Sequence, residues 1–298
     1  MDQQPYIGRF APSPTGPLHL GSLATALGSW LDARVNGGRW LVRIEDIDEE
    51  RCKPEHSAAI LHALNAHGLQ ADGDVWIQSA RHVQYQQALD QLLRNGLVYP
   101  CGCTRRDIDE ANAHRPFGTN RVYPGTCRHG LPSGTTPRAL RFRVPHEPTQ
   151  WTDWRLGSQT DKLEETSGDF VLKRGDGHWA YHLVVVVDDL ASNVTHIVRG
   201  EDLADTTGRQ VALFKALGAT APRYAHLPVI LAEDGQKLSK QTGAQALDCA
   251  KPIDNLNRVW MHFGEQPMPA QGTVTDWLEQ AMQKWPVVMQ RLAHKRRP

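Results

Sequence analysis

Apolar positions recur at two different periods in the first third of the chain, and the change from one to the other marks a strand–loop–helix unit. Tyr6 to Phe10 (YIGRF) reads as a short buried strand, and Ala11 to Leu18 as a loop punctuated by Pro12, Pro14, Gly16 and Pro17. From His19 onward, Leu20, Leu23, Ala24, Leu27 and Leu31 fall on one helical face. Arg39 to Ile44 alternates about Trp40, Val42 and Ile44 and closes a βαβ unit. Helices are predicted over Pro54 to His67, opened by Pro54, and Arg81 to Asn95, stopped by Gly96. Arg138 to Val144 reads as a half-exposed strand whose outward Arg141 and Arg143 meet phosphate or solvent, and Phe170 to Lys173 reads as another strand. The apolar run Ala180 to Asp189 (AYHLVVVVDD) suits a central parallel strand covered on both faces, and Val194 to Gly200 supplies another strand.

The loop before the first helix carries candidate chemistry. A helix that begins beside a Gly-containing loop presents backbone N–H groups and a positive dipole end, which suit phosphate; His19 and Ser22 add side-chain donors there. The bland alternative is an ordinary first βα turn. Glu45, Asp46 and Asp48 follow the second strand, at the sheet end where ligands of open parallel sheets lie, although Asp48 suits a turn cap. Far downstream, Pro228 to Thr242 (PVILAEDGQKLSKQT) is a strand-like run, a turn, and then Lys237 and Lys240 around Ser239, which alone would read as solvated charge. Tyr181 and Arg199 could hold a small anion near the same cleft, or serve as a core tyrosine and an arginine paired with Glu201 or Asp202.

Composition narrows the classes. The 298 residues suffice for a well-buried core and more than one domain. Lys plus Arg and Asp plus Glu both number 33, so no global basic excess advertises nucleic acid, and RNA contacts would need local patches. No apolar run is long enough to span a bilayer and no charged start leads into one, so no membrane association and a cytoplasmic location are expected. The odd set of five cysteines, with Cys101, Cys103 and Cys127 grouped, favours a metal site over disulfides. The spacing suits one tetrahedral zinc. Tyr123, His129 and His114 are the candidates for its fourth ligand, with histidine favoured on generic grounds. Cys52 has no partner at ligand spacing and reads as structural.

PSPTGPLHLGS together with KLSKQ resembles the two nucleotide-binding signatures of class I aminoacyl-tRNA synthetases, and RFAPSPTG, RIEDID, YHLVVVVDD and VRGED resemble the glutamyl branch of that class. The resemblance covers about Tyr6 to Thr242. It departs from the usual pattern where Ser22 replaces the second histidine of H-x-G-H and where KLSKQ ends in Gln241, changes that bear on rate.

The resemblance implies an α/β Rossmann-type catalytic domain with an inserted zinc-binding subdomain, a short C-terminal helical appendage and no anticodon-binding domain. The implied boundaries are 1–97 and 180–243 for the two halves of the catalytic domain, 98–179 for the insertion and 244–298 for the appendage. It implies ATP with Mg²⁺ and L-glutamate as substrates. His19 and Lys240 are the implied catalytic groups, and Pro12, His19, Gly21, Ser22, Lys237 and Lys240 the ATP site. Arg9, Phe10, Ala11, Pro12, Ser13, Glu45, Tyr181 and Arg199 form the implied glutamate site. Short members with C-x-C followed by Y-x-x-x-C favour Tyr123 beside Cys101, Cys103 and Cys127 around one structural Zn²⁺.

About 57 residues follow KLSKQ. That length, CGC with YPGTC, RIEDID and GSL after the histidine are similar to the short branch that transfers glutamate to queuosine at the wobble position of tRNA(Asp), received through its anticodon loop. The rival readings are a truncated enzyme charging a terminal adenosine or a non-tRNA acceptor, and a non-catalytic nucleotide- or RNA-binding paralogue. Nothing in the sequence sets an oligomeric state, and a monomer is expected by default.

Overall fold

The computed structural model describes residues 5–116, 121–231, 245–269 and 272–294. Its first half alternates β1 (Ile7–Phe10), α1 (Leu20–Val35), β2 (Arg39–Ile44), α2 (Pro54–Ala66), β3 (Trp76–Ile77) and α3 (His82–Arg94). Strands β1, β2 and β3 form one parallel sheet in that order. The predicted strand–loop–helix unit is present: β1 is buried throughout, and α1 buries the stripe that includes Leu23, Ala24, Leu27 and Leu31.

The middle of the chain comprises β4 (Val98–Cys101), α4 (Arg105–Ala111), β5 (Ala139–Phe142), β6 (Thr149–Asp153), β7 (Gly157–Asp161), α5 (Leu163–Thr166) and β8 (Val171–Arg174). Strands β4, β5 and β8 make a small antiparallel sheet. The last part holds α6 (Tyr181–Ala191), β9 (His196–Gly200), α7 (Thr207–Ala216), β10 (Arg223–Leu227), α8 (Pro252–His262) and α9 (Val274–His294). A second sheet runs β7-β6-β10-β9, with β10 parallel to both β6 and β9. It meets the first sheet where the Thr195 N–H donates to the Ile7 carbonyl (2.9 Å) and the Ile7 N–H to Thr195 Oγ1 (2.8 Å).

One expected strand is a helix. The run predicted as a central strand over Ala180 to Asp189 is the helix α6, buried from Leu183 to Asp189. A helix enclosed on all sides shows a continuous apolar run, as a covered strand does, so periodicity cannot separate them. The place beside β1 is taken by β9.

The largest core joins β1, β2, α1 and α2 to α8 and α9 through Trp40, Trp260, Trp277 and Trp285. Gly28 marks a close approach: a Cβ there would collide with Leu227 and lie 3.3 Å from Trp285. Among the described residues, no helix is long and apolar enough to cross a membrane.

Candidate active site

An open cavity of about 260 Å³ lies at the carboxyl ends of β1, β2 and β9. It gathers Arg9, Phe10, Ala11, Pro12, Ser13, His19, Gly21, Ser22, Glu45, Tyr181 and Arg199, residues drawn from sequence positions 9 to 199. Pro228, Val229 and Ile230 leave the sheet after β10 and line the same cavity. Lys237 and Lys240 fall outside the described residues.

His19 forms the N-cap of α1. Its Nδ1 accepts from the Gly21 N–H (3.1 Å) and the Ser22 N–H (3.4 Å), while Ser22 Oγ accepts from the His19 N–H (2.8 Å). This reciprocal arrangement satisfies backbone donors that a helix start leaves over. With Nδ1 accepting, a neutral ring carries its proton on Nε2. Ser22, at the position where the resemblance departs, therefore completes the cap.

The cavity has two basic walls. On the first, Arg9 bonds Asp189 through Nε (3.2 Å) and Nη2 (3.4 Å), and Arg43 bonds Asp189 (2.7 Å) and Glu45 (3.0 Å). Asp188 accepts from Gln78 (3.0 Å), Arg81 (2.6 Å) and Tyr85 (2.8 Å). Burial pushes the Asp189 pKa up, but Arg43 and Arg9 outweigh it and hold the carboxyl below its ordinary range. At Glu45 burial prevails over the same arginines, so its pKa is raised.

On the second wall, Arg199 is 3% exposed. Its Nε donates to His226 Nε2 (3.0 Å), Nη1 to Gln210 Oε1 (2.7 Å), and Nη2 to Thr207 Oγ1 (2.8 Å) and the Leu203 carbonyl (3.3 Å). Among the described residues no carboxylate pairs with it. The expected alternative of pairing with Glu201 does not form, because Glu201 bonds Arg155. Tyr181 stands at the start of α6 rather than in the predicted central strand.

Sequence reasoning missed Asp188, Asp189, Arg43 and His226. Arg43 carried a usable signal, since a guanidinium within the buried strand WLVRI requires an acid partner, and Asp188-Asp189 follows the most apolar run.

A separate centre holds the predicted cysteines. The sulfurs of Cys101, Cys103 and Cys127 all lie within 4.8 Å of one another, and this group could hold a metal ion. The Tyr123 hydroxyl oxygen accepts from the Cys127 N–H (2.9 Å) and lies 3.3 Å from Cys101 Sγ and 3.8 Å from Cys103 Sγ. His129 and His114 are exposed, and among the described residues the group includes no histidine. Burial is the main cause raising the Cys103 pKa to about 11, and it raises that of Tyr123 as well. Arg141, read as facing phosphate or solvent, is instead buried with its guanidinium 3.9 Å from the centre of the Tyr123 ring. Cys52 is buried, with its Sγ 3.8 Å from the Glu45 carbonyl, and Asp48 caps the turn at Arg51 and Cys52.

Residues 7–262 match the family model of class I tRNA synthetases (E and Q), catalytic domain. The chain is 50% identical over 285 residues to a Glutamyl-Q tRNA(Asp) synthetase of Janthinobacterium sp. (strain Marseille), covering 94% of this chain and 96% of that one. It is 52% identical over 286 residues to the Glutamyl-Q tRNA(Asp) synthetase of Cupriavidus metallidurans, covering 95% and 91%. Among solved structures, a glutamate tRNA ligase from Elizabethkingia meningosepticum in complex with its amino acid superposes with a TM-score of 0.70 at 33% identity. That match covers 80% of this chain, which spans about half (53%) of the ligase. The chain belongs to the class I glutamyl and glutaminyl tRNA synthetases and, within them, to the Glutamyl-Q tRNA(Asp) synthetase family.

Proposed function

We propose that this protein activates L-glutamate with ATP and transfers it to queuosine at the wobble position of tRNA(Asp). The observation that carries the reading is Arg199: a buried cation beside the cavity whose protein partners are all neutral among the described residues. Such a group suits the side-chain carboxylate of glutamate, whereas the neutral amide of glutamine leaves desolvated charge uncompensated. Tyr181 and Ser13 offer hydroxyls to the same substrate, Phe10, Ala11 and Pro12 line its pocket, and Glu45 faces the α-ammonium. Arg9 contributes from β1.

In the first step an α-carboxylate oxygen of glutamate attacks the α-phosphorus of ATP; the bond to the bridging oxygen breaks and pyrophosphate leaves. The N-terminus of α1 and His19 Nε2–H stabilise charge on the phosphate oxygens, and Gly21 permits close approach of the nucleotide. Lys240, assisted by Lys237, serves the pyrophosphate side. Mg²⁺ accompanying ATP offsets triphosphate charge, and no residue is assigned to it. In the second step a hydroxyl of the queuosine cyclopentene ring attacks the glutamyl carbonyl and AMP departs. An unstacked anticodon-loop nucleotide is accessible to such a cleft, as a paired base is not.

The cysteine centre suits a structural zinc held by Cys101, Cys103, Cys127 and Tyr123. Zinc–sulfur bonds of about 2.3 Å in a tetrahedron put ligand atoms about 3.8 Å apart. The Cys103–Cys127 sulfur separation is 3.7 Å, and the tyrosine oxygen lies 3.3 and 3.8 Å from two sulfurs. Four protein ligands leave no position for substrate, so the ion would brace the fold.

The test is glutamate incorporation into tRNA from queuosine-containing and queuosine-lacking cells, alongside glutamate-dependent ATP–pyrophosphate exchange. Incorporation restricted to the modified pool is expected. Equal incorporation into both pools would transfer the activity to a terminal adenosine, and absence of exchange would overturn the enzymatic reading.

A further inference from the structure

Behind Arg199 lies a buried pair that does not line the cavity. His226 on β10 and Asp153 on β6 are 0% and 1% exposed, and His226 Nδ1 meets Asp153 Oδ2 at 2.6 Å. The other carboxylate oxygen is committed elsewhere: Oδ1 accepts the backbone N–H groups of Arg155 (2.9 Å) and Leu156 (2.8 Å). An ionised carboxylate can only accept, so Nδ1 carries the imidazole proton and Nε2 keeps a lone pair. That lone pair receives the Arg199 Nε–H at 3.0 Å, with Thr207 Oγ1 3.3 Å from the same nitrogen.

We infer that His226, held in the Nδ1–H tautomer by Asp153, is a positioning residue that orients the Arg199 guanidinium for the substrate carboxylate and thereby contributes to selection of glutamate over glutamine. The inference rests on the proposed glutamate activation. A carboxylate bonded directly to Arg199 would also orient it, but would neutralise the charge the substrate needs; the neutral imidazole orients it without doing so. Burial holds the His226 pKa below its ordinary value, with Asp153 opposing and Arg199 and Arg155 adding to the depression. The chain of bonds thus places the negative charge of Asp153 one ring away from Arg199.

The arrangement makes an isosteric substitution informative. In Asp153→Asn, the Arg155 and Leu156 amides retain the side-chain oxygen, so the new NH₂ faces His226 Nδ1. The imidazole must then move its proton to Nε2, and two donors, His226 Nε2–H and Arg199 Nε–H, oppose each other. A buried carboxylate exchanged for an amide selects the wrong histidine tautomer in this way. The expected result in pyrophosphate exchange is a glutamate KM raised about ten- to hundredfold, with the ATP KM within about twofold of wild type and the preference over glutamine reduced. His226→Gln, whose Oε1 can accept near the former Nε2 position, should recover most of the glutamate KM, whereas His226→Leu should not.

Nitrogen-15 NMR of the histidine rings in the full chain gives a readout independent of activity and protects the test against a leucine variant that fails to fold. Protonated Nδ1 in the wild type and protonated Nε2 in Asp153→Asn are expected. Protonated Nε2 in the wild type, or a reversed tautomer with unchanged glutamate KM, would overturn the inference. If the wild type lacks glutamate-dependent exchange, the activation reading fails separately; the wild-type tautomer then decides the orienting bond, Nδ1–H upholding it and Nε2–H refuting it.

Discussion

The two basic walls of the cavity contain the same side chain in opposite electrostatic states. Arg9 and Arg43 face fully buried Asp189, which offsets part of their charge inside the protein. Arg199, equally buried, is surrounded by an imidazole, an amide, hydroxyls and a carbonyl, and keeps its charge. The contrast separates two uses of arginine. Desolvating a guanidinium is tolerable next to a carboxylate, where the pair holds helix α6 against strands β1 and β2. Next to neutral acceptors the cation remains available to a ligand that brings its own negative charge.

The largest effect should come from breaking the compensated wall. Asp189→Asn leaves buried Arg9 and Arg43 short of an acceptor charge and should lower folding stability by about 3–5 kcal/mol in denaturant titration; a loss below about 1 kcal/mol would erase the distinction between the walls. The acid response follows from the depressed Asp189 pKa. Its contribution is complete above the unfolded value of about 3.9 and disappears as pH falls through the lower folded pKa. Wild-type stability should therefore fall in strong acid more steeply than that of the variant.

Arg199→Ala should act mainly on function, with glutamate kcat/KM reduced about a hundredfold and the ATP KM little changed. Its stability loss should be smaller than that of Asp189→Asn. Unaltered glutamate kinetics would remove Arg199 from the substrate's reach.

The cysteine centre inverts the comparison, because there the crowded groups are acids. The thiol of Cys103 and the phenol of Tyr123 have raised pKa values, with burial the largest cause, and a bound cation would offset the cost of ionising them. Tyr123→Phe should cut zinc retention about tenfold in chelator competition; wild-type retention would exclude the phenol as a ligand. The smallest effect is expected at the neutral end of α1. Ser22→Ala removes half of a reciprocal cap and should cost about 1 kcal/mol in thermal denaturation. No change would mean that the cap adds nothing beyond tertiary contacts.

Much of the cavity was legible because its residues sit at punctuated ends of periodic elements. The Pro-Gly loop, the helix start at His19 and the acids after β2 each announce themselves locally, and the resemblance joined them to Tyr181 and Arg199. The local signal failed for α6, where Val184 to Val187 are buried so completely that no polar face reveals the helical period. It also failed for His226, an isolated histidine within YAHLP whose importance depends on Asp153, 73 positions earlier. Arg141 was misplaced for a related reason: alternation assigns a face, but not whether that face meets solvent or the Tyr123 ring. Partners far apart in sequence leave no periodic trace.

Gly28 has a consequence for the dimensions of the cavity. Where α1 passes Leu227 and Trp285 a methyl group fits only if the Leu227 side chain moves aside, so bare backbone lets the helix that begins at His19 lie close against the strand that carries His226. The cavity proposed to take an amino acid and a nucleotide is thereby backed by contact among buried groups that do not line it. A larger residue at position 28 would first displace the Leu227 side chain, which lies behind the cavity and does not line it.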